Sequence, residues 1–169
     1  MDHRWPLCAS LQAKIHEQFE RTNHLMSLLP ADRLDWTPDI PDSWPIDVLL
    51  GHFLDCAAGC CAVLAAFEPQ RLAHFAQLRE LPVNHRCLPQ ESISRMEIYQ
   101  AHVDEGFALL GDTDLARQLS TVFVKEGETL LTLLLENLEH LINHKHQLFT
   151  YLKLLGVAVT SQDLYHFRR

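Results

Sequence analysis

A chain of 169 residues, 47% of them hydrophobic, can bury one substantial core and is most simply a single domain spanning residues 1–169. Its 14 basic and 22 acidic residues give a formal net charge of −8, which argues against non-specific binding to the phosphate backbone of nucleic acids. The first ten residues lack the apolar stretch of a secretory signal and charges interrupt the longest leucine-rich run, so we expect a soluble cytoplasmic protein without a membrane partner.

The first predicted element is an amphipathic helix from Ser10 to Leu29. Apolar residues and one threonine recur there at steps of three and four: Leu11, Ile15, Phe19, Thr22, Met26 and Leu29. Pro30 ends the helix because proline cannot continue it. The following segment, "ADRLDWTPDIPDSW", combines Pro, Asp and Trp, which predicts an ordered connector held in place by its aromatic residues.

A second helix is predicted to follow this connector and to run to Phe67. Asp42 and Ser43 are suitable N-cap residues, because their side-chain oxygens can accept hydrogen bonds from the first free N–H groups. Pro45 is tolerated in the first turn, where the N–H groups have no partner inside the helix. Pro69 closes the element.

A long connection between the second and third helices is predicted for Gln70–Gln90, with a short helix around Arg71–Arg79. The third helix is predicted over Ser92–Leu110, with Gly111 as its left-handed stop. Five residues form its apolar stripe: Met96, Tyr99, Val103, Phe107 and Leu110.

The last long helix is predicted over Glu128–Leu155 and should end at Gly156, where glycine adopts a left-handed conformation at little cost. The segment "GDTDLARQLS" before it predicts a turn and a short helical or extended link. Four long amphipathic helices indicate an all-α fold, and the expected architecture is a four-helix bundle with one long connection.

The cysteines indicate free thiols in a reducing compartment, because five of them form an odd set with no regular disulfide framework. They are Cys8, Cys56, Cys60, Cys61 and Cys87. Cys56 and Cys60 are four residues apart and share a helical face. We interpret this pair as small apolar packing residues.

Three histidines stand in an otherwise leucine-rich stretch of the last helix, "NLEHLINHKHQL". His140 and His144 are four residues apart, so both side chains point the same way, with Cβ atoms about 6 Å apart. Neighbouring leucines place this pair on the core-facing side, whereas His146 points elsewhere. An i,i+4 histidine pair is a known way to bind a metal, although it also occurs by chance.

On the second helix, His52 belongs to the stripe of Leu49, Cys56 and Val63, with Asp55 nearby. A single histidine on such a face is as often a hydrogen-bonded core residue as a ligand. Three inward imidazoles need a shared partner, because a buried polar group without one costs about 1–3 kcal/mol. A divalent metal ion satisfies all three.

Two stretches carry a resemblance to a known family. "DSWPIDVLLGHFLDC" resembles the second-helix signature of the DinB/YfiT-like proteins, an apolar run with one histidine. "HLINHKHQLFTYLKLLG" is similar to their final-helix signature, in which two histidines separated by three residues precede a glutamine and a tyrosine-bearing apolar tail. "LDWTP" also stands where family members carry a similar word, and the resemblance covers nearly the whole chain.

The resemblance implies a four-helix bundle, often a homodimer, with a divalent metal held by His52, His140 and His144. His146 departs from the family pattern, which commonly has glycine or another small residue there. That departure concerns the surface beside the site rather than the ligands. Characterised relatives include thiol-dependent S-transferases, an isomerase that uses a low-molecular-weight thiol, and presumed hydrolases.

Three neutral imidazoles leave the charge of a divalent ion uncompensated and at least one coordination position open, so hydrolysis and thiol transfer on a small-molecule substrate both fit. Zinc and nickel are the first expected metals, followed by iron and manganese, with a low-molecular-weight thiol as an expected cosubstrate. Four residues are candidates for supporting contacts: Asp55, Glu136, Gln147 and Tyr151.

Two alternatives stay open at this stage. The protein can be non-catalytic, with a structural metal closed by a fourth protein ligand, for which Cys56 is the only obvious candidate. The histidines of two helices can also serve as axial ligands of a haem, although no pocket-forming pattern supports that function.

Overall fold

The computed structural model describes residues 6–120 and 125–165. Within this part of the chain, four long helices form a bundle, a short helix follows them, two 3₁₀ segments lie in the connections, and two short strands pair antiparallel. The elements are α1 (Leu7–Ser27), α2 (Ile46–Phe67), the 3₁₀ segment Ala73–Glu80, α3 (Pro89–Phe107), the 3₁₀ segment Asp112–Ala116, β1 (Gln118–Leu119), β2 (Glu128–Thr129), α4 (Leu130–Leu154) and α5 (Ser161–Leu164). The predicted all-α architecture and the long connection between α2 and α3 are confirmed.

Among the four long helices, α2 has the most buried residues. Helices α1 and α2 each pack chiefly against α3 and α4, so they occupy opposite corners. Of the described helices, α2 alone is long and apolar enough to span a membrane by length and composition. Most of its apolar residues are buried inside the protein, as expected of a helix that contacts neighbours on more than one face.

The start of α2 differs from the prediction that Asp42 and Ser43 cap it. The helix begins at Ile46, and neither side chain caps it; Asp42 instead adopts a left-handed backbone conformation with φ of 61°. The connector folds back, so that its own carbonyls accept the first helical N–H groups: Ile46 N donates to Trp36 O (3.1 Å) and Asp47 N donates to Leu34 O (2.8 Å). Backbone carbonyls from earlier in the connector therefore replace the predicted side-chain cap.

The start of α1 is also set from a distance. The helix begins at Leu7 rather than at Ser10, because the carboxylate of Asp112 accepts the backbone N–H groups of Leu7 and Cys8, both at 2.9 Å. A carboxylate at the N-terminus of a helix is favourable because it accepts free N–H groups and complements the helix dipole. Asp112 begins the 3₁₀ segment Asp112–Ala116 and is far from α1 along the chain.

The two predicted glycine stops have different outcomes. Gly156 has φ of 80° and follows α4, as predicted. Gly111 does not terminate α3 in a left-handed conformation, since its φ is −109° and the helix already ends at Phe107. Its N–H instead donates to the Asp114 carboxylate at 2.9 Å, which begins a 3₁₀ segment.

The helix α4 begins two residues later than predicted, because Glu128 and Thr129 form β2 and pair with β1. Thr129 is at the same time the N-cap of α4, and its side-chain oxygen accepts the N–H of Thr132 at 3.1 Å. The link before α4 is therefore partly extended, which was one of its two predicted forms.

All five cysteines are free, as predicted, and all of them are buried. Burial raises the pKa of the Cys60 thiol from 9.0 to about 12, so the folded chain keeps a proton that the unfolded chain loses. The stability that this thiol contributes is fully present below pH 9 and is lost as the pH rises from 9 toward 12, at about 1.4 kcal/mol per pH unit. In reducing buffer, the urea midpoint should fall between pH 9 and 11, less steeply in Cys60→Ala. Equal slopes in the two proteins would contradict this.

Candidate metal centre

Three histidine rings converge between α2 and α4. His52 of α2 and His140 and His144 of α4 each offer a ring nitrogen, and the three nitrogens lie within 4.8 Å of one another. The Nε2 atoms of His52 and His140 are 2.9 Å apart. Nitrogens bound to one zinc ion at about 2.0–2.1 Å lie about 3.3 Å from one another. The three rings are therefore spaced for one shared cation.

The centre lies at the edge of the core rather than inside it. His52, His140 and His144 are all partly exposed, whereas the sequence placed them on inward-facing stripes. The predicted helix faces are correct, but the apolar stripes of α2 and α4 reach the rim of the bundle where these histidines lie. His146 is exposed, stands apart from the cluster and has its ring 6.1 Å from that of Phe149.

Two amide side chains hold two of the imidazoles. The Nδ1 of His52 lies 2.6 Å from Oδ1 of Asn84, and the Nδ1 of His144 lies 2.9 Å from Oε1 of Gln147. An amide oxygen only accepts, so each Nδ1 carries the proton and each Nε2 keeps a free lone pair. Gln147 in turn donates to the Tyr151 hydroxyl at 2.9 Å. These contacts orient the rings for metal binding.

Asn84 is a site residue that the sequence reasoning missed. It lies in the connection between α2 and α3 and has φ of 55°, a conformation in which asparagine is enriched among non-glycine residues. Its N–H donates to the carbonyl of Gly51 at 3.1 Å, next to His52 in the chain. An asparagine in a turn-forming segment is the available signal, but nothing in the sequence indicates that this loop reaches His52.

An indole ring forms one wall of the centre. The ring centroid of Trp44 lies 4.8 Å from that of His52, and the same indole stacks on His144 at 5.6 Å with an interplanar angle of 16°. Trp36, from the same connector, meets the ring of Tyr151 edge-on at 5.6 Å. The prediction of an ordered connector with aromatic anchors is confirmed, and one of these anchors borders the histidines.

The electrostatics of the centre favour neutral imidazoles. Burial lowers the pKa of His140, and the neighbouring His52 lowers it further, while Asp55 partly offsets both effects. Burial also lowers the pKa of His144, although its hydrogen bond to Gln147 opposes this shift. A lowered pKa keeps the ring unprotonated near neutral pH, and only the unprotonated ring can bind a metal.

Of the two acidic residues predicted to support the site, Asp55 lies close enough to His140 to raise its pKa, which partly offsets the effect of burial. Glu136 is exposed on the protein surface. Cys56 is buried and does not join the three histidines as a fourth donor. Burial and the nearby Asp55 raise the pKa of its thiol well above the usual value, so the thiol stays protonated. In the described residues, the donor set around this point is limited to three nitrogens.

Replacing Asn84 by glycine tests the support of His52. Glycine keeps the left-handed backbone and removes only the amide, so the free energy of unfolding should change little. Without its acceptor, His52 loses its fixed orientation, and metal affinity should fall about 10–100-fold, the usual effect of removing a residue that supports a ligand. Isothermal titration with zinc measures this, and an unchanged affinity would show that Asn84 does not orient the ring.

No protein-family model matches the chain, and no curated protein sequence matches it either. Among solved structures, the chain is similar to a DinB-like protein from Bacillus subtilis, with a TM-score of 0.64 and 19% sequence identity. The match covers 87% of this chain and 92% of that one. The chain therefore has a DinB-like fold, as the two histidine-bearing motifs predicted.

Proposed function

We propose that this protein is a divalent-metal-dependent enzyme acting on a small molecule, with His52, His140 and His144 as the metal ligands. The observation that supports it is the convergence of three imidazoles from two helices at a partly exposed point, with no fourth protein donor in the described residues. An all-imidazole donor set suits zinc and nickel first, then iron, with manganese less favoured.

The donor atoms fit a cation. The proton of His52 is held on Nδ1 by Asn84, so its Nε2 presents a lone pair toward the Nε2 of His140, 2.9 Å away. The lowered pKa values of His140 and His144 keep positive charge off these rings. A divalent ion with three neutral ligands, when bound, lowers the pKa of a bound water toward about 7 or stabilises a thiolate.

The surrounding residues would bind and orient a small substrate. The ring of Trp44 stacks on His144 and is 38% exposed, so beside the cluster it offers an apolar surface that a substrate can contact. The Tyr151 hydroxyl and the Gln147 amide form a polar chain that ends on His144 and holds the ring in place. Together with the resemblance of the two histidine motifs to those of thiol-using proteins, these contacts favour thiol-dependent S-transfer or hydrolysis. Our proposal also includes that the protein acts as a cytoplasmic homodimer.

The alternative is a non-catalytic protein in which the metal only ties α2 to α4. A structural zinc is normally closed by four protein ligands. Cys56 was the candidate for the fourth position, and its separation from the cluster favours an open position instead.

Cobalt substitution distinguishes the two functions. Small thiols and azide are titrated into the cobalt protein, and the visible spectrum should change and saturate, because these ligands enter an exchangeable position. The same change should persist in Cys56→Ser. If thiols, azide and other small anions all leave the spectrum unchanged, the site is closed, and the structural function replaces the catalytic one.

A further inference from the structure

A second group of metal-ligating side chains lies where the long connection enters α3. His85, Cys87 and Glu91 each offer one donor atom, and these three atoms lie within 4.8 Å of one another. The Nε2 of His85 is 2.9 Å from Oε1 of Glu91. The group shares no residue with the three-histidine centre and combines three different donor types: imidazole, thiol and carboxylate.

The backbone that carries these donors is tethered to α2. The N–H of Cys87 donates to the carbonyl of Asp47 at 3.0 Å, and the N–H of Asn84 donates to the carbonyl of Gly51 at 3.1 Å. Glu91 lies in the first turn of α3. The donors are therefore placed before any ligand arrives, and only side-chain rotations are needed to bring them closer.

A simple surface ion pair between His85 and Glu91 does not account for the whole arrangement. The Nδ1 of His85 is buried and has no hydrogen-bond partner in the described residues, which normally costs about 1–3 kcal/mol. The thiol of Cys87 is almost fully buried; it donates to the Leu88 carbonyl at 3.6 Å and lies close enough to the Glu91 carboxylate for that charge to act on it. Arg86 lies between His85 and Cys87 in sequence and forms an ion pair with Asp47, with 2.6 Å between Nη1 and Oδ2.

We propose that His85, Cys87 and Glu91 form a second site, which binds one divalent thiophilic cation, with zinc as the first expected ion. A thiolate and a carboxylate supply two negative charges, which neutralise the ion and favour tight binding, unlike the neutral donor set of the three histidines. On binding, the S–H bond of Cys87 breaks, its proton leaves to solvent, and a metal–sulfur bond forms.

The second site lies on the same connection that supports the three-histidine centre. A cation bound there would tie the connection to the start of α3, and the same connection carries Asn84, which holds His52 at 2.6 Å. Fewer conformations of the loop would then compete with the orientation of Asn84 that His52 needs. The second ion would be a structural support for the three-histidine centre, not a reacting group.

Cobalt titration of the metal-free full chain tests the proposal. Two equivalents should bind, and a near-ultraviolet thiolate-to-cobalt charge-transfer band should grow with one of them. The band should vanish in Cys87→Ser and persist in the matched control Cys56→Ser, since both thiols are buried but only Cys87 belongs to the second group. In His52→Ala, one equivalent should be lost while the band remains.

Glu91→Gln provides a second variant, because its partly exposed position lets the chain fold even if Cys87→Ser does not. The affinity of this variant for the cobalt ion that produces the thiolate band should fall at least about 10-fold. Binding of a single equivalent without a thiolate band overturns the second site. So does a band that survives in Cys87→Ser, or an unchanged affinity in Glu91→Gln. The three-histidine centre is tested separately by the equivalent lost in His52→Ala.

Discussion

Replacing His144 by alanine is expected to remove the metal from the three-histidine centre, with affinity falling about 100-fold or more. His144 is one of only three nitrogen donors that the described residues bring to this point. Removing even a residue that supports a ligand costs about 10–100-fold, and a ligand itself should cost at least as much. Metal analysis after purification without chelators or nickel resin should show one equivalent fewer than in the unmodified protein.

His146→Ala is the matched control, because it removes an imidazole two residues away on the same helix. Two residues correspond to about 200° of rotation around an α-helix, so His146 faces away from His144. It is exposed and has its ring near Phe149 rather than near the other imidazoles. Its substitution should leave the metal content unchanged, and equal losses in the two variants would contradict the assignment of the ligand face.

Gly51→Ala is expected to lower the free energy of unfolding by about 3 kcal/mol, although Gly→Ala within a helix ordinarily stabilises a protein by about 1 kcal/mol. A Cβ at position 51 would overlap the backbone carbonyl of His85, which belongs to the connection packed against α2. Backbone cannot rotate away as a flexible side chain can, so the connection must move. Urea unfolding measures the loss of stability.

The same substitution should also weaken metal binding at the three histidines. Asn84 precedes His85 and bonds to the backbone of Gly51, so a displaced connection takes the acceptor away from His52. Gly111→Ala is the control: a Cβ there meets its nearest atom at 3.6 Å, an ordinary contact, and stability should change by less than about 0.5 kcal/mol. If Gly51→Ala is as stable as this control, the close approach of the connection does not constrain the fold.

The helices and their order could be predicted from the sequence, whereas several of their ends could not. Apolar residues at helical spacing are visible in the chain itself, and they predicted α1 to α4 and the bundle. The first turn of α1 depends on the carboxylate of Asp112, and the first turn of α2 depends on carbonyls of the connector. These partners are distant in sequence or lack a side-chain signature, so local patterns predict caps in the wrong places.

The two motifs of the sequence likewise determined which histidines belong together. The i,i+4 spacing puts His140 and His144 on one face of a helix whatever the rest of the fold does, and the apolar stripe of α2 adds His52. Because the helical period is only a few residues long, a short stretch of sequence is enough to show which residues share a face of the helix.

The tertiary structure alone decided what surrounds these histidines. Asn84 reaches His52 because the absent side chain of Gly51 lets the connection lie directly against α2. The same close contact between the connection and α2 lies beside the group of His85, Cys87 and Glu91. Contacts of this kind depend on the distance between two segments far apart in the chain, and that distance is set by packing across the whole bundle rather than by any local pattern.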